Sequence, residues 1–293
     1  MPELPEVETV RQGLLPVLAG RRIVRVEARR PDLRFPLPER FAERLTGRKV
    51  VQLARRAKYL TTRLDSGETL IMHLGMTGRF TVSKGRKAGT LGAYIYDTTQ
   101  DARHDHVVFH LEGGGRLTYN DARRFGFMML AKTETLDCHP LFKHLGPEPL
   151  GQDFTADYLA ARAAGRKVDL KALLMDQRVV AGLGNIYVCE ALFRAGLSPR
   201  RSAATLANRK GEPAPRTKAL VEAIRHVLED AIAAGGSTLR DYRQTDGSTG
   251  AFQERFDVYG RAGLRCVRAG CGGKVRRIVQ GGRSTFYCSR CQT

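Results

Sequence analysis

The sequence predicts an α+β protein of several domains, and three observations along the chain carry this prediction. Segments rich in β-forming residues recur at hairpin spacing over 21–132, which is typical of an antiparallel sandwich or barrel. Apolar residues then follow helical periodicity over 156–235. The last stretch, 260–293, combines a cluster of cysteines with eight Lys or Arg and no acidic residue. A chain of 293 residues is long enough for this organisation, since a domain commonly has about 100–200 residues.

The first element is predicted to be a helix over residues 5–20 with one apolar face. Four apolar side chains recur there at helical spacing: Val7, Val10, Leu14 and Val17. Pro5 suits the first turn of a helix, and Gly20 can end it. Pro16 interrupts the pattern and predicts a kink or an early end.

The β-rich segments are assigned to a first domain of residues 1–132, and the Pro- and Gly-containing stretch 133–155 is predicted to be a linker. Residues 156–259 are predicted to form a helical domain, in which LVEAIRHVLEDAIAAGG is the clearest helix and its paired glycines are a stop signal. Within that domain the polar, turn-rich segment 237–252 predicts a long surface loop. Residues 260–293 form the last predicted unit.

The charge balance predicts a polyanionic partner. Lys and Arg total 49 against 30 Asp and Glu, a formal net charge of +19, and the sequence pI is about 10.2. Nucleic acid and an anionic membrane both suit such a charge. The membrane is disfavoured, because no apolar run approaches the roughly 20 residues of a spanning helix. The N-terminus also lacks the apolar segment of a signal peptide, so we expect a cytoplasmic protein.

Four of the six cysteines follow the pattern Cys-x4-Cys-x16-Cys-x2-Cys: Cys266, Cys271, Cys288 and Cys291. In a reducing compartment this cluster predicts a metal site, with two disulfides or four unused thiols as alternatives. Zn²⁺ prefers four tetrahedral ligands, and two close cysteine pairs supply them across a hairpin. We expect one structural Zn²⁺, because four thiolates leave no open position for catalysis. The basic charge of the tail indicates contact with nucleic acid. The cysteine motif on its own indicates only a zinc ribbon, and many zinc ribbons bind RNA or protein.

A glycine-rich helix start, Gly182-Leu183-Gly184-Asn185, lies between two helical stretches of residues 169–199. Glycine lets backbone N–H groups approach an anion closely, and a helix N-terminus favours phosphate. Asn185 is predicted to cap the second helix and to reach a phosphate. The alternative is a plain helical hairpin with a glycine turn, but beside a charge of +19 phosphate binding is favoured.

The N-terminus, MPELPEVE, offers a nucleophile once Met1 is removed, as we expect before a small residue such as Pro. Pro2 then carries a secondary amine, and the reference pKa of an α-amino group is about 8, against about 10.4 for Lys. Attack of this amine on a sugar C1′ forms an iminium that promotes elimination at the neighbouring carbon. Glu3 is adjacent and suits a general acid. The alternative is an ordinary helix start, which the residues alone do not exclude.

Taken in order, eight segments resemble the formamidopyrimidine-DNA glycosylase family, bacterial enzymes for oxidised purines. The segments are MPELPEVETV, RRAKYL (55–60), HLGMTG (73–78), HDHV (104–107), DARRFG (121–126), LGPEPL (145–150), MDQ…VAGLGNIY (175–187) and GRSTFYC (282–288). They run from residue 1 to the cysteine cluster. The resemblance implies an N-terminal helix and antiparallel β-sandwich, then a helical domain with a helix–two-turn–helix motif and a zinc β-hairpin.

The resemblance implies a bifunctional DNA glycosylase and AP lyase of base excision repair. Such an enzyme flips and excises 8-oxoguanine and formamidopyrimidines, then cleaves the strand by β- and δ-elimination. Pro2 corresponds to the nucleophile that forms the Schiff base, Glu3 to the general acid, and Glu6 to a carboxylate that positions the N-terminus. Lys58 corresponds to a lysine that moves protons during elimination. Arg283 corresponds to the zinc-hairpin arginine that grips phosphates beside the lesion and is assigned to δ-elimination.

The family fills the gap left by the flipped base with three side chains, which correspond to Met76, Arg123 and Phe125. Met and Phe suit apolar wedges in an opened stack, and Arg suits hydrogen bonds to the orphaned base, for which the family prefers cytosine. Without the resemblance, core packing is the simpler interpretation for Met76 and Phe125. The other implied DNA contacts are His73, His104, Arg166, Asn185 and Arg240. Arg240 belongs to the loop that closes over the flipped base.

The sequence departs from the family pattern at three points. The first zinc knuckle has four intervening residues instead of two, and Ala122 stands where Pro is frequent. Arg166 replaces a Lys, which keeps the charge and changes its geometry, and Lys167 could serve instead.

Two alternatives to this function remain open. An endonuclease VIII-like glycosylase for oxidised pyrimidines shares the Pro2 and Glu3 chemistry, but such enzymes more often lack the ELPEVET run. A non-catalytic nucleic-acid-binding zinc protein would have no need for a free N-terminal Pro. The predicted partner is double-stranded DNA with an oxidised base, bound in the bacterial nucleoid. We expect a monomer, because one lesion offers no two-fold symmetry to match.

Overall fold

The structure is a computed structural model that describes three stretches of the chain: 1–84, 101–237 and 252–293. Internal contacts divide the chain into two compact units. The sandwich unit comprises Met1–Lys143 with Ala234–Ala251, and the helical unit comprises His144–Ala233 with Phe252–Thr293. The domain boundaries that the sequence suggested stay a prediction.

Helix α1 (Leu4–Leu18) opens the sandwich unit and matches the predicted helix within two residues at each end. Its first turn is closed by a capping box, in which Glu6 Oε2 accepts the backbone N–H of Glu3 at 2.8 Å. The helix continues through Pro16 and ends two residues later at Leu18, where the N–H of the C-cap residue Ala19 donates to Leu15 O. Val7, Val10 and Leu14 face the core and are buried, as the periodicity predicts.

Eight strands form two four-stranded antiparallel sheets, one in the order β1-β6-β7-β5 and the other in the order β2-β3-β4-β8. The strands are β1 (Ile23–Ala28), β2 (Val50–Arg56), β3 (Tyr59–Leu64), β4 (Glu68–His73), β5 (Arg79–Lys84), β6 (Asp105–Leu111), β7 (Gly115–Asn120) and β8 (Phe127–Lys132). A short helix, α2 (Phe41–Leu45), follows β1. Side chains of both sheets meet α1 in one apolar core, which decides for a sandwich over a barrel.

Three connections cross from one sheet to the other: residues 29–49 between β1 and β2, and two shorter ones that carry predicted site residues. Residues 74–78 join β4 of the second sheet to β5 of the first, and residues 121–126 join β7 of the first sheet to β8 of the second. In the strand register His73 lies opposite both Tyr59 and Phe127. His73 directly precedes residues 74–78, and Phe127 directly follows residues 121–126. The two short crossings, 74–78 and 121–126, carry the three predicted void-filling residues, Met76, Arg123 and Phe125.

The helical unit contains the helices predicted over 156–235: α3 (Ala156–Ala163), α4 (Leu170–Met175), α5 (Asn185–Arg194) and α6 (Pro215–Ala233). Turns over 176–184 join α4 to α5, and Gln177 holds them. Its side chain accepts the N–H of Gly182 at 2.8 Å and donates to Leu183 O at 2.8 Å. The prediction that Asn185 caps α5 is wrong. Gly184 is the N-cap and Asn185 the first helical residue, which frees its side chain for another contact.

Strands β9 (Val275–Gln280) and β10 (Arg283–Cys288) form the C-terminal hairpin. Gly281 and Gly282 both have positive φ, 53° and 72°, which is the backbone that a two-residue type I′ turn requires. The hairpin packs on α5 through a small cluster of cysteine and apolar side chains that includes Cys189, Phe193 and Val275. None of the helices in the described stretches has the length and apolarity needed to cross a bilayer.

Candidate functional site

The N-terminal segment is tied down by Glu6. Pro2, Glu3 and Glu6 are all buried at the start of α1. Besides the Glu3 N–H, Glu6 accepts two hydrogen bonds at Oε1, from the backbone N–H of Ser237 at 2.8 Å and from its hydroxyl at 2.9 Å. At Gly236, where φ is 81°, an added Cβ would lie 3.2 Å from Glu6. One carboxylate therefore holds Pro2 and Glu3 against the segment that leads into the predicted loop.

Lys58 is held by the turn between β2 and β3 and is buried. The preceding Ala57 has a φ of 53°, a conformation that costs free energy for any residue with a Cβ. Arg55 supports this turn, because its Nη1 donates to Ala57 O at 2.9 Å while its Nε donates to Glu8 at 3.1 Å. Burial would raise the pKa of Glu8, but its ion pairs with Arg11 and Arg55 hold that pKa below its usual value. The Arg55 side chain thus connects Glu8 of helix α1 to the turn that carries Lys58.

His73 is neutral near pH 7. Burial, together with the positive charges of Lys58 and Arg34, lowers its pKa to about 4. The ring stacks on Phe127 with centroids 5.1 Å apart, and its Nδ1 accepts the N–H of Gly75 at 3.0 Å. The ring proton of neutral His73 is therefore on Nε2, which is a hydrogen-bond donor suited to a phosphate oxygen.

The predicted void-filling residues lie on the two short crossings between the sheets, residues 74–78 and 121–126. Met76 is half-buried, Arg123 is exposed, and Phe125 is 43% exposed. The Arg123 guanidinium lies over the Phe125 ring, 4.7 Å from its centroid. The Arg123 N–H also donates to Thr77 Oγ1 at 3.1 Å, so the crossings that carry all three residues contact each other. His104 is half-exposed at the end of a short 3-10 helix, Ala102–His104.

In the helical unit the structure brings Asn185 and Arg283 to the same place. Asn185 Nδ2 donates to the carbonyl of Ser284 at 2.9 Å, next to the exposed Arg283 at the start of β10. A cavity of about 270 Å³ opens beside Arg283. Its lining residues are Asp169, Lys171, Ala172, Met175, Gln280, Gly281 and Arg283. Arg166 is half-exposed after α3 and does not belong to this lining.

Lys171 is a candidate site residue that the sequence patterns did not identify. It is 3% exposed, its Nζ donates to Thr285 Oγ1 at 2.5 Å, and burial lowers its pKa. The signal was a lysine at the second position of an otherwise apolar helix, LKALLM. Its hydroxyl partner lies 114 residues away, which no local pattern predicts. Arg240 lies outside the described residues.

The four cysteines of the tail have the geometry of a zinc site. All are free, and their sulfur atoms lie within 4.8 Å of one another. The Cys266–Cys291 and Cys271–Cys288 sulfur pairs are 3.7 and 3.6 Å apart. Zn–S bonds of about 2.3 Å give a tetrahedron with edges of about 3.8 Å, whereas a disulfide needs about 2.05 Å. The donor set therefore fits one Zn²⁺ with no open position.

The segment of four residues between Cys266 and Cys271 in the first zinc knuckle contacts helix α5. Arg268 lies among the four intervening residues, donates to Phe193 O at 2.6 Å, and places its guanidinium over the Phe193 ring. Gly270 and Gly272, with φ of 72° and 61°, allow the tighter turns around Cys271. The extra residues thus dock the knuckle onto α5.

Three family models match the chain in succession. They are the formamidopyrimidine-DNA glycosylase N-terminal domain over residues 1–128, the formamidopyrimidine-DNA glycosylase H2TH domain over residues 145–243, and the zinc finger found in FPG and IleRS over residues 263–293. The chain belongs to the formamidopyrimidine-DNA glycosylase family.

Curated members of the formamidopyrimidine-DNA glycosylase family match the whole chain. The proteins of that name from Azorhizobium caulinodans and Ruegeria pomeroyi are 60% and 58% identical over 292 residues, which is all of this chain and all of each relative. The crystal structure of the MutM (Fpg) protein from Thermus thermophilus is 40% identical, with a TM-score of 0.80 over 99% of this chain and 98% of that one.

A second solved structure of the family contains DNA. It is the complex between a Lactococcus lactis Fpg mutant and a Fapy-dG-containing DNA, 33% identical to this chain with a TM-score of 0.83 over the full length of both. The predicted family, the α+β fold and the zinc-finger unit are confirmed. The individual site residues, which the resemblance carried over one by one, stay predictions that the geometry above makes concrete.

Proposed function

We propose that this formamidopyrimidine-DNA glycosylase excises oxidised purines and cleaves the resulting abasic site with Pro2 as its nucleophile. The chain is a DNA glycosylase of base excision repair with AP lyase activity, and its full-length relatives are named formamidopyrimidine-DNA glycosylases. Its partner is DNA that carries a lesion. The observation that carries the residue assignment is the buried first turn of α1, where Glu6 fixes Pro2 and Glu3 in one arrangement.

The first step is extrusion of the damaged base, because a glycosidic bond inside a stacked duplex is out of reach. Met76 and Phe125 occupy the vacated space as apolar wedges, and Arg123 offers its guanidinium to the unpaired opposite base. The stacking of Arg123 on Phe125 supports this assignment, since it presents both side chains together at an exposed edge.

Base removal follows on Pro2. After loss of Met1, the proline nitrogen attacks C1′, the bond from C1′ to the base breaks, and the base leaves with a proton. Glu3 donates a proton to the sugar oxygen as the ring opens, which leaves an iminium between Pro2 and C1′. Buried Glu3 is adjacent to the reacting nitrogen and is suited to this transfer.

Strand cleavage uses the iminium as an electron sink. Loss of a proton from C2′ drives departure of the 3′ phosphate, and a second elimination releases the 5′ phosphate. Lys58 is assigned to proton transfer in these steps, and Arg283 and Asn185 are assigned to the phosphates. The neutral ring of His73 offers an Nε2–H donor to a phosphate without adding charge.

The four-cysteine site has a structural role. A bound Zn²⁺ would supply only a cross-link between the two knuckles, because Cys266, Cys271, Cys288 and Cys291 would complete its coordination. This cross-link would stabilise the hairpin, in which β10 begins at Arg283 and the Ser284 carbonyl accepts a hydrogen bond from Asn185.

We further propose that the protein acts as a cytoplasmic monomer on nucleoid DNA.

Borohydride trapping tests the proposal. Untagged protein, with Pro2 shown to be N-terminal by mass spectrometry, is incubated with a duplex that contains one 8-oxoguanine opposite cytosine. We expect a covalent protein–DNA adduct, absent with undamaged duplex and reduced in Pro2→Gly, which replaces the secondary amine by a primary one. A Pro2→Gly variant that loses no strand cleavage contradicts the assigned nucleophile. Strong preference for thymine glycol over 8-oxoguanine contradicts the assigned substrate and favours an endonuclease VIII-like enzyme.

A further inference from the structure

We propose that Asp121 and Thr77 are positioning residues for the void-filling side chains. They lock the two crossings, residues 74–78 and 121–126, into one arrangement before DNA binds. The inference rests on the proposed function, because it concerns the insertion of Met76, Arg123 and Phe125 into the duplex.

Asp121 is fully buried between the two crossings and its carboxylate joins them. Oδ1 accepts the hydroxyl of Thr77 on the first crossing. Oδ2 accepts the N–H of Gly126 on the second crossing at 2.8 Å and the hydroxyl of Tyr119 at 3.2 Å. Burial raises the pKa of Tyr119 well above its usual value, and the Asp121 charge raises it further, so this phenol remains a donor.

Thr77 passes the constraint on to Arg123. A hydroxyl has one proton, and Thr77 gives that proton to Asp121. Its oxygen then accepts the backbone N–H of Arg123 at 3.1 Å. The order of donors is fixed, from Arg123 N–H to Thr77 and from Thr77 to Asp121, and valine at 77 could fill the same space with neither bond.

The crossings also touch through their backbones, with no room for additional atoms. A Cβ on Gly75, where φ is 62°, would lie 2.3 Å from both Gly126 N and Phe125 C. A Cβ on Gly126 would lie 1.8 Å from the Tyr119 hydroxyl and 2.7 Å from His73 O. The Met76 crossing and the Phe125 crossing therefore have one relative position.

The backbone of Asp121 extends the lock to the predicted DNA contact His104. The Asp121 N–H donates to His104 O at 3.0 Å, and the Nε2–H of buried His106 donates to Asp121 O at 2.9 Å. One buried residue thus fixes the main chain beside three side chains that the proposed function assigns to DNA, Met76, Arg123 and Phe125, and beside His104, which the family resemblance assigns to DNA.

The lock matters for extrusion because Arg123 and Phe125 are exposed and Met76 is half-buried, while the hydrogen bonds of Asp121 and Thr77 hold the main chain that carries them. A rigid main chain avoids the entropy cost of ordering both crossings when they enter the stack. A displacement of about 1 Å in a positioned group can cost about 100-fold in rate. The contribution of Asp121 and Thr77 is therefore expected in duplex steps that need the wedge, and not in the chemistry at Pro2.

The test compares Thr77→Val with Thr77→Ser and a matched control, Thr62→Val. Thr62 is a buried threonine of β3 whose hydroxyl makes no hydrogen bond among the described residues. Each variant is assayed in single turnover on 8-oxoguanine opposite cytosine and opposite adenine, and on a single strand with a preformed abasic site. The single strand presents no gap to fill and is the internal reference for Pro2 chemistry.

We expect Thr77→Val to lose at least about tenfold in duplex excision, with a smaller preference for cytosine over adenine, since Arg123 is no longer held. Cleavage of the abasic single strand stays within about twofold of wild type, and Thr77→Ser restores duplex excision. Asp121→Asn, which keeps the side-chain shape, is expected to show the same pattern as Thr77→Val.

Duplex excision and base preference that Thr77→Val leaves unchanged would overturn the inference. An equal loss on duplex and single strand would also overturn it, because that pattern indicates general loss of fold. Failure of the proposed function looks different: wild-type protein with N-terminal Pro2 would then form no borohydride adduct and would cleave neither substrate.

Discussion

His73 shows how burial decides what a side chain can offer to DNA. A histidine near phosphates is usually assumed to be cationic, but here burial against Phe127 and the nearby Lys58 and Arg34 charges lower the pKa of His73 to about 4. The neutral ring costs less to bury, and its Nδ1 is used by the Gly75 N–H. What is left for DNA is the Nε2–H, a directional donor.

This neutral state makes stability depend on pH. The folded-state pKa of about 4 lies below the unfolded value of about 6.5, so the unfolded chain binds the proton between these limits. The contribution is complete above about pH 6.5 and is lost as pH falls toward 4. We expect wild type to lose up to about 2 kcal/mol more than His73→Gln between pH 7.5 and 5.0. Urea unfolding at both pH values measures it, with exposed His226→Gln as the control; equal losses in wild type and His73→Gln contradict the assignment.

Residues that act through local sequence were predictable, and residues that act through distant partners were not. The pattern at the N-terminus predicted α1 and placed Pro2, Glu3 and Glu6 at its start. The sequence correctly placed Asn185 at a helix start but wrongly made it the cap. The cap is Gly184, which has an extended backbone, and the sequence pattern does not show at which of these two neighbours the helical backbone angles begin. Asp121 reads locally as a turn residue, and its partner Thr77 lies 44 positions away.

At the scale of elements, the zinc hairpin and α5 form one packed piece. Glu190 of α5 is fully buried and accepts three backbone N–H groups, from Asp257, Val258 and Tyr259, at 2.7 to 3.1 Å. Burial raises the pKa of Glu190 despite these bonds. At the far end of the hairpin, Gln292 donates to Leu197 O at 2.9 Å. The hairpin that carries Arg283 is therefore anchored on both sides of its cysteines.

Removal of the metal should release this anchorage in part. Without Zn²⁺ the knuckles lose their cross-link, and the cluster around Cys271 and Cys288 is too small to replace it. We expect chelation, or Cys271→Ser, to raise amide hydrogen exchange over 263–293 and to weaken DNA binding, while protection in β3 and β4 persists. The exposed Cys138→Ser is the matched control and should keep both metal and affinity. DNA affinity that survives complete loss of zinc would refute the coupling.

Over the whole molecule, hydrophobic patterning predicted the architecture because each element buries its own periodic face. Strand-forming segments at hairpin spacing became β1 to β8, and the helical periodicity became α3 to α6. The patterning could not decide between sandwich and barrel, since both alternate inward and outward side chains. The deciding feature is that two separate sheets share one core with α1. It depends on which strands pair, and pairing is a long-range property.

The net charge of +19 acts at this same scale, through release of the counterions condensed on DNA. The logarithm of the binding constant should fall linearly with the logarithm of salt concentration, by about 0.9 for each phosphate neutralised. Arg283 is exposed at the start of β10 and has been assigned to a phosphate, so Arg283→Ala should reduce the magnitude of that slope by about one. His73→Gln should weaken binding and leave the slope unchanged, because a neutral donor displaces no counterion.

Fluorescence anisotropy on a duplex with a non-cleavable abasic analogue, titrated at several salt concentrations, measures both slopes. Arg216→Ala, an exposed arginine at the start of α6, controls for the loss of one positive charge from the same unit. If Arg283→Ala and Arg216→Ala change the slope equally, the effect belongs to net charge alone and Arg283 has no phosphate of its own. A slope that changes only in Arg283→Ala locates one neutralised phosphate at the zinc hairpin, where Asn185 already holds the adjoining main chain.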